Sequence, residues 1–187
     1  MLRVHSRTSD LLAATKNYDY EMISRLVVLF LLCWRVGGFP DGAPIDACVK
    51  DRANQPNHGQ HRTQPLSTIP YRFVASSALY RPGMRITVSI EGVDTFKGFF
   101  IQARSVETND WIGAWEKTPN TTVHPECSSV THADPRDKSR ATLVWRSPQH
   151  THGRVYFTGT ILKNYGTFWS NLIADAPQDP ADLQIIG

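Results

Sequence analysis

Short segments in which apolar and polar residues alternate constrain the fold of this chain more than any other feature. In the clearest of them, MRITVSI at 84–90, every second residue is apolar. Because successive side chains of a β-strand point to opposite faces, this period of two predicts a half-buried strand. Pro82 and Gly83 precede it and predict a turn, since Pro presets one backbone angle and Gly accepts a positive one.

Further strand candidates follow the same pattern and are separated by clusters of Gly, Pro, Asn or Asp. No convincing helical periodicity occurs after Gly38. About seven or eight short strands separated by turns predict an all-β, antiparallel β-sandwich. It is not of the antibody type, because Trp145 follows both Cys48 and Cys127. The further candidates are Phe73 to Ser76, Phe99 to Arg104, Trp111 to Trp115, Ala141 to Arg146, Arg154 to Leu162 and Thr167 to Leu172.

The most apolar stretch of the chain, at 26–34, decides the compartment. It is too short for a membrane span, which needs roughly 18 such residues. Arg25 precedes it and small residues follow it, as in a signal peptide cut before Phe39. The alternative is a buried helix or strand. We expect a signal peptide at 22–38, hence a secreted, extracellular protein without stable membrane insertion of the mature chain.

The segments on either side of the mature domain are predicted separately. Residues 1–21 are mostly polar, which is unusual ahead of a signal peptide. We interpret them as a mis-annotated start or a disordered extension, with translation beginning at Met22. The domain itself is expected at 39–172, and a flexible tail at 173–187.

Three cysteines are present, and Cys33 would leave with the signal peptide. The remaining Cys48 and Cys127 are expected to close a disulfide in an oxidising compartment. The alternative is a pair of free, buried thiols. The triplet at 120–122, Asn-Thr-Thr, predicts N-linked glycosylation of Asn120 in an exposed loop.

Composition and motifs exclude several classes of function. The formal net charge is +3, and no basic stripe with interleaved aromatic residues occurs, so nucleic-acid binding is not expected. The chain has no nucleophile elbow, Gly-rich phosphate loop, His-Glu-x-x-His or Cys-x-x-Cys motif. We therefore expect neither an enzyme nor a cofactor.

An ordered set of motifs from about Phe39 to about Ser170 resembles the Reeler, or reelin, domain family. The most specific are YRPGMRITVSIEG at 80–92 and FKGFFIQAR at 96–104. The resemblance implies an immunoglobulin-like sandwich in which Cys48 and Cys127 form the disulfide. The other matching motifs are FPDGAPIDAC at 39–48, PNHG at 56–59, PYRF at 70–73, VTH at 130–132 and GRVYFTGTIL at 153–162.

The family occurs in small secreted defence proteins of arthropods, in ferric-chelate-reductase-like membrane proteins and at the start of reelin. The length of this chain is most similar to the first setting. The resemblance thus implies innate immune defence, by antimicrobial action or by binding to microbial surfaces. The alternative is an extracellular recognition module of a ferric-chelate-reductase-like or matrix protein, with a host cell surface as its partner.

Two sets of side chains are weak candidates for binding. Phe96, Phe100 and Arg104 could line a ligand groove, but plain packing within the sandwich is the favoured explanation of the two Phe residues. His150 and His152 would share one strand face and could bind zinc or copper if a third ligand converged. Pro148 instead favours an ordinary loop at this point, so no metal site is expected.

Overall fold

The computed structural model describes residues 41–48 and 54–177. These residues contain ten β-strands and no α-helix, only three short 3-10 turns. The predicted extension at 1–21 and the predicted signal peptide at 22–38 lie outside the described residues. Within the described part, no helix is long and apolar enough to cross a membrane.

The strands form two antiparallel sheets, which confirms the predicted all-β sandwich. The first sheet has the order β1-β3-β8-β5, and the second has the order β10-β9-β4-β7-β6, with β2 paired to β9. In chain order the strands are β1 (Tyr71–Ala75), β2 (Leu79–Tyr80), β3 (Arg85–Phe96), β4 (Gly98–Ser105), β5 (Ala114–Trp115), β6 (Thr121–His124), β7 (Ser129–His132), β8 (Lys138–Arg146), β9 (Gly153–Asn164) and β10 (Thr167–Ile173).

The core lies between the two sheets and is built mainly from alternate residues of the long strands. In β3 the predicted period of two is observed, with Ile86, Val88 and Ile90 fully buried. Trp145 of β8 is also fully buried, and its ring lies 5.6 Å from that of Phe157 in β9, edge to face. Aromatic pairs in this geometry gain about 0.5–1.5 kcal/mol beyond their buried area.

Three strands were not predicted, and one was predicted too long. The strands β2, β6 and β7 are short, and β6 and β7 are largely polar. Of the candidate Trp111 to Trp115, only Ala114–Trp115 forms a strand, while Trp111 makes an isolated bridge to Arg104. Such strands are held by their neighbours, so their own sequence carries little signal.

The ordered sandwich extends beyond the boundary predicted at residue 172. The Ala75 N–H donates to the Asp175 carbonyl (2.7 Å), and the Asp175 N–H donates to the Phe73 carbonyl (2.9 Å). The start of the predicted flexible tail is therefore part of the sheet edge. Residues 178–187 lie outside the described part of the chain.

The contact between β9 and β4 leaves no room for a side chain at Gly159. A Cβ at this position would collide with the Phe100 carbonyl and lie 2.9 Å from the Cα of Ile101. We predict that Gly159→Ala lowers the free energy of unfolding by about 1–3 kcal/mol, measured by urea denaturation.

A matched control is Gly166→Ala, where the nearest atom belongs to the exposed ring of His61, at 3.1 Å. This ring can move aside, so we expect little change. Equal effects of the two substitutions would contradict the close approach of β9 and β4.

Candidate functional site

An extended segment crosses the outer face of the second sheet. We call residues 41–48 and 54–64 the N-terminal strap. Near its start, the Ala43 N–H donates to Thr131 Oγ1 (3.0 Å), and His124 Nε2 donates to the Ala43 carbonyl (2.9 Å). Near its end, the Gln64 N–H donates to the Phe168 carbonyl (2.8 Å). The strap therefore spans the sheet from β6 and β7 to β10.

The strap is fastened covalently by the Cys48–Cys127 disulfide, whose Cα atoms are 5.7 Å apart. This confirms the pairing implied by the family resemblance and excludes the alternative of two free thiols. Phe100 of β4 packs against both cysteines on the outer face. As a result, both faces of β4 are buried, one against the core between the sheets and the other beneath the strap.

Polar side chains fill the middle of this covered face. Asn54 of the strap donates from Nδ2 to Thr158 Oγ1 (3.4 Å), and Thr160 donates to the Asn54 carbonyl. Both threonines are almost fully buried. Farther along, His58 stacks on Tyr165 with ring centroids 4.2 Å apart and donates to the Tyr165 carbonyl (2.7 Å). Among the described residues, these contacts make the covered face a structural interface.

The structure does not bring Phe96 and Phe100 into one groove. Phe96 is fully buried between the sheets, where its ring lies 5.5 Å from that of Tyr71 and 6.4 Å from that of Phe99. Phe100 points to the opposite side of the second sheet, beneath the disulfide. The hypothesis of a groove lined by both residues is wrong, because the outer sheet face and the core are separated by β4 itself.

Arg104, the third candidate, lies on the outer face of β4 beyond the strap contacts. Its guanidinium is 5.8 Å from the centre of the Trp111 ring, and Tyr156 is directly opposite it on β9. Sequence reasoning selected Arg104 but missed these two aromatic neighbours, since only the strand register places them beside it.

The two histidines considered as metal ligands lie in an exposed loop. His150 and His152 are exposed in the loop between β8 and β9. Across residues 41–48 and 54–177, no group of three or more His, Cys, Asp or Glu side chains is placed to hold a metal ion.

The glycosylation candidate Asn120 is exposed just before β6, and its side-chain oxygen accepts a hydrogen bond from Arg136 Nη2 (3.3 Å). It lies at the rim of a cleft of about 370 Å³ beside β8. The charged rim includes Asp134, whose carboxylate accepts from Arg136 (3.1 Å) and Lys138 (3.1 Å). Hydrogen bonds from these cations, with Arg136 the larger influence, lower the pKa of Asp134 far below its usual range.

The outer face of the first sheet is open and rich in arginine. Arg85 and Arg146 are directly opposite each other on β3 and β8, and both bind Glu116, at 2.6 Å and 3.0 Å. Two like charges in this position repel, and the shared carboxylate offsets the repulsion. The Arg146 hydrogen bond and the nearby Arg85 charge lower the pKa of Glu116, so it stays ionised.

A second arginine cluster repeats this arrangement at the other end of the face. Glu91 of β3 pairs with Arg140 of β8 and lies opposite Arg72 of β1. Each cluster thus has two guanidiniums for one carboxylate and keeps an excess of one positive charge. At about 3.3 Å per residue along β3, the clusters are roughly 20 Å apart. The residues between them are small, such as Thr87 and Thr142, which are exposed.

The Reeler domain family model matches residues 47–178. This chain belongs to the Reeler family. It is 31% identical over 155 residues to "Putative defense protein 3" of Antheraea mylitta, a match that covers 79% of this chain and 91% of that protein. The family and these defence-protein relatives indicate a non-catalytic module.

Other Reeler relatives are larger. The chain is 27% identical over 161 residues to "Putative ferric-chelate reductase 1" of Danio rerio. This match covers 81% of this chain but only 27% of that protein. Among solved structures, the Reelin-N domain of F-spondin is similar with a TM-score of 0.49 and 21% identity, over 65% of this chain and 94% of that domain.

Loss of the disulfide is predicted to destabilise this Reeler domain strongly. The bridge closes a loop with a sequence separation of 79. Restricting such a loop in the unfolded chain stabilises the fold by up to about 4.5 kcal/mol. We expect Cys48→Ala with Cys127→Ala to reduce the free energy of unfolding by a large part of this value, measured in urea. An unchanged unfolding midpoint would contradict the anchoring role of the bridge.

Acid is predicted to destabilise the domain through His132. Its Nδ1 lies 3.2 Å from the backbone oxygen of Phe99, and burial lowers its pKa from the ordinary 6.5. The unfolded chain therefore binds this proton more readily than the folded one. The contribution of neutral His132 to the free energy of unfolding is fully present above pH 6.5 and decreases as the pH falls below this value.

The measurement is urea unfolding at pH 7.5 and pH 5, with His132→Gln and the exposed-loop substitution His150→Gln. The loss of stability on acidification should be smaller in His132→Gln and unchanged in His150→Gln. The same loss in both variants would show that His132 is not responsible.

Proposed function

We propose that this Reeler protein is secreted and acts in defence by binding phosphate-bearing polymers of bacterial surfaces through the open arginine face. That face consists of Arg72, Arg85, Arg140 and Arg146, with Glu91 and Glu116 between them. The observation that carries the proposal is the excess of arginine over carboxylate on an exposed sheet whose other residues are small. The relatives named as defence proteins support the biological setting.

The chemistry of the face suits phosphate. A guanidinium donates two parallel hydrogen bonds to a phosphate, which makes arginine the preferred residue for this anion. In each cluster one guanidinium is in excess of the carboxylate, so an incoming phosphate adds an ion pair without breaking the existing one. The spacing of roughly 20 Å between clusters lets two phosphates of one polymer bind together, which raises the avidity.

Secretion and glycosylation complete this proposal. Export through the predicted signal peptide at 22–38 would place the Cys48–Cys127 pair in an oxidising compartment, where disulfides persist. Asn120 is exposed and lies at the rim of the side cleft, so an N-linked glycan fits there. Both features are tested by sequencing the N-terminus and measuring the mass of the secreted protein.

A second candidate function is extracellular recognition within a larger membrane or matrix protein. The observation that favours it is the match to about a quarter of the ferric-chelate reductases of Bos taurus and Homo sapiens, of which the chain covers 24% each. In that case the same arginine face would meet an anionic group on a host surface. A full-length transcript with membrane spans after this domain would favour the second candidate.

The arginine face is tested by binding to immobilised lipoteichoic acid, a polymer of glycerol phosphate. We predict that Arg140→Gln with Arg146→Gln weakens binding about 30-fold, since each arginine near an anionic surface contributes about 1 kcal/mol. Glu91→Gln with Glu116→Gln should strengthen binding, because the arginines lose their internal partners. Added salt should weaken binding of the unaltered protein.

The matched control removes two charges elsewhere. Arg62 of the strap and Arg154 of β9 are exposed and lie outside the arginine face, so Arg62→Gln with Arg154→Gln should bind almost normally. Equal losses in the two double variants would show a response to net charge alone. Absence of binding by the unaltered protein at low salt would reject the proposal.

A further inference from the structure

Trp111 differs from the other tryptophans that the structure describes. Trp115, Trp145 and Trp169 are buried, and each donates its indole N–H to a protein oxygen at 2.8–3.0 Å. Trp111 is 39% exposed, and no oxygen of residues 41–48 and 54–177 accepts its N–H. A large apolar ring with a free donor at the surface is a feature typical of binding sites.

Trp111 is one end of a row of three side chains across the second sheet. It pairs through its backbone with Arg104, which in turn is directly opposite Tyr156 on β9. Residues that lie opposite each other on neighbouring strands share a face. We call Trp111, Arg104 and Tyr156 the aromatic row. With strands about 4.8 Å apart, the backbones that carry the two outer rings are roughly 10 Å apart.

The aromatic row is held in place by Asn109. Its side-chain oxygen accepts from both Arg104 Nη1 (3.4 Å) and the Tyr156 hydroxyl. Asn109 itself has a left-handed backbone with φ of 63°, and its N–H donates to the Ser105 carbonyl (3.0 Å). The Ser105 hydroxyl accepts from the backbone N–H groups of Glu107 and Thr108, both at 3.2 Å. These hydrogen bonds preform the loop at 105–109 in the absence of a ligand.

Arg104 in the centre of the row keeps its charge available. Its guanidinium donates to neutral oxygens, those of Asn109 and of Gln102 (3.2 Å). No carboxylate of the described residues forms an ion pair with it within 4.0 Å. The nearby Glu107 is paired with Arg154 instead (3.4 Å). An incoming anion would therefore meet a positive charge that is stacked against an aromatic ring.

We infer that the aromatic row binds an oligosaccharide of acidic, carboxylate-bearing sugars. The C–H face of a pyranose is apolar and slightly positive, so it packs on the negative face of an aromatic ring. Rings carried by backbones roughly 10 Å apart are too far apart for adjacent pyranoses and suit the first and third sugars of a trimer. Arg104 between them is placed to bind a sugar carboxylate. This site is on the opposite sheet from the arginine face and binds a different anion, so it goes beyond the proposed function.

The probe is a trimer of galacturonic acid, titrated into protein whose tryptophans carry ¹⁵N. We expect the indole N–H signal of Trp111 to shift and saturate, while those of Trp115, Trp145 and Trp169 stay in place. Maltotriose, a neutral trimer, should bind at least tenfold more weakly. Acetate at the same carboxylate concentration should cause no saturable shift. Equal binding of the neutral trimer would overturn the role of Arg104.

Variants separate this site from the rest of the surface. Trp111→Ala and Arg104→Gln should each weaken binding of the acidic trimer at least tenfold, whereas Trp111→Phe should retain part of it. The matched control is Tyr165→Ala, which removes another exposed aromatic ring, 44% accessible, at the turn between β9 and β10. Each variant is first compared with the unaltered protein by urea unfolding.

Three results would overturn the inference: no saturable shift of the Trp111 signal, equal binding of the neutral trimer, or equal weakening by Tyr165→Ala. Arg140→Gln with Arg146→Gln should leave binding of the trimer unchanged. A failure of lipoteichoic acid binding therefore does not affect this test, and the reverse also holds.

Discussion

The rest of the structure depends on the contact between the N-terminal strap and the outer face of the second sheet. The Cys48–Cys127 bridge fixes this contact at the turn between β6 and β7, and the hydrogen bond from Gln64 to Phe168 continues it to β10. Because the strap covers this face, β4 is buried on both sides. An isolated antiparallel sheet of this kind would normally expose one face to water.

This asymmetry assigns different roles to the two sheets. The first sheet carries no strap, so its outer face presents the guanidiniums of residues such as Arg85 and Arg140 to the solvent. Among the residues that the structure describes, Trp111, Arg104 and Tyr156 lie on the second sheet beyond the strap contacts. Both surfaces are made largely of side chains on paired strands, and Trp111 is joined to Arg104 by an isolated bridge, so backbone pairing sets their geometry. Sites on rigid elements are held more precisely than sites on mobile loops.

Much of the fold was predictable because the responsible signals are local. The alternation in β3 gave the correct inward face, and the family motifs gave the correct disulfide. The polar strands β6 and β7 were not predictable, since they are held by β4 and by the strap. The segment around Asp175 was predicted as a tail because its pairing with Val74 is non-local. Phe96 and Phe100 were placed together from their spacing, but they belong to different strands whose relative position the sequence does not reveal.

The central claim is that the arginine face of the first sheet binds phosphate-bearing polymers, while the strap has a structural role. Arginine-specific labelling with phenylglyoxal, followed by mass spectrometry, tests this directly on the protein bound to lipoteichoic acid. The account predicts that binding protects Arg85, Arg140 and Arg146 from labelling, while Arg62 of the strap reacts as in the free protein. Protection of Arg62 with unchanged labelling of the other three arginines would contradict it.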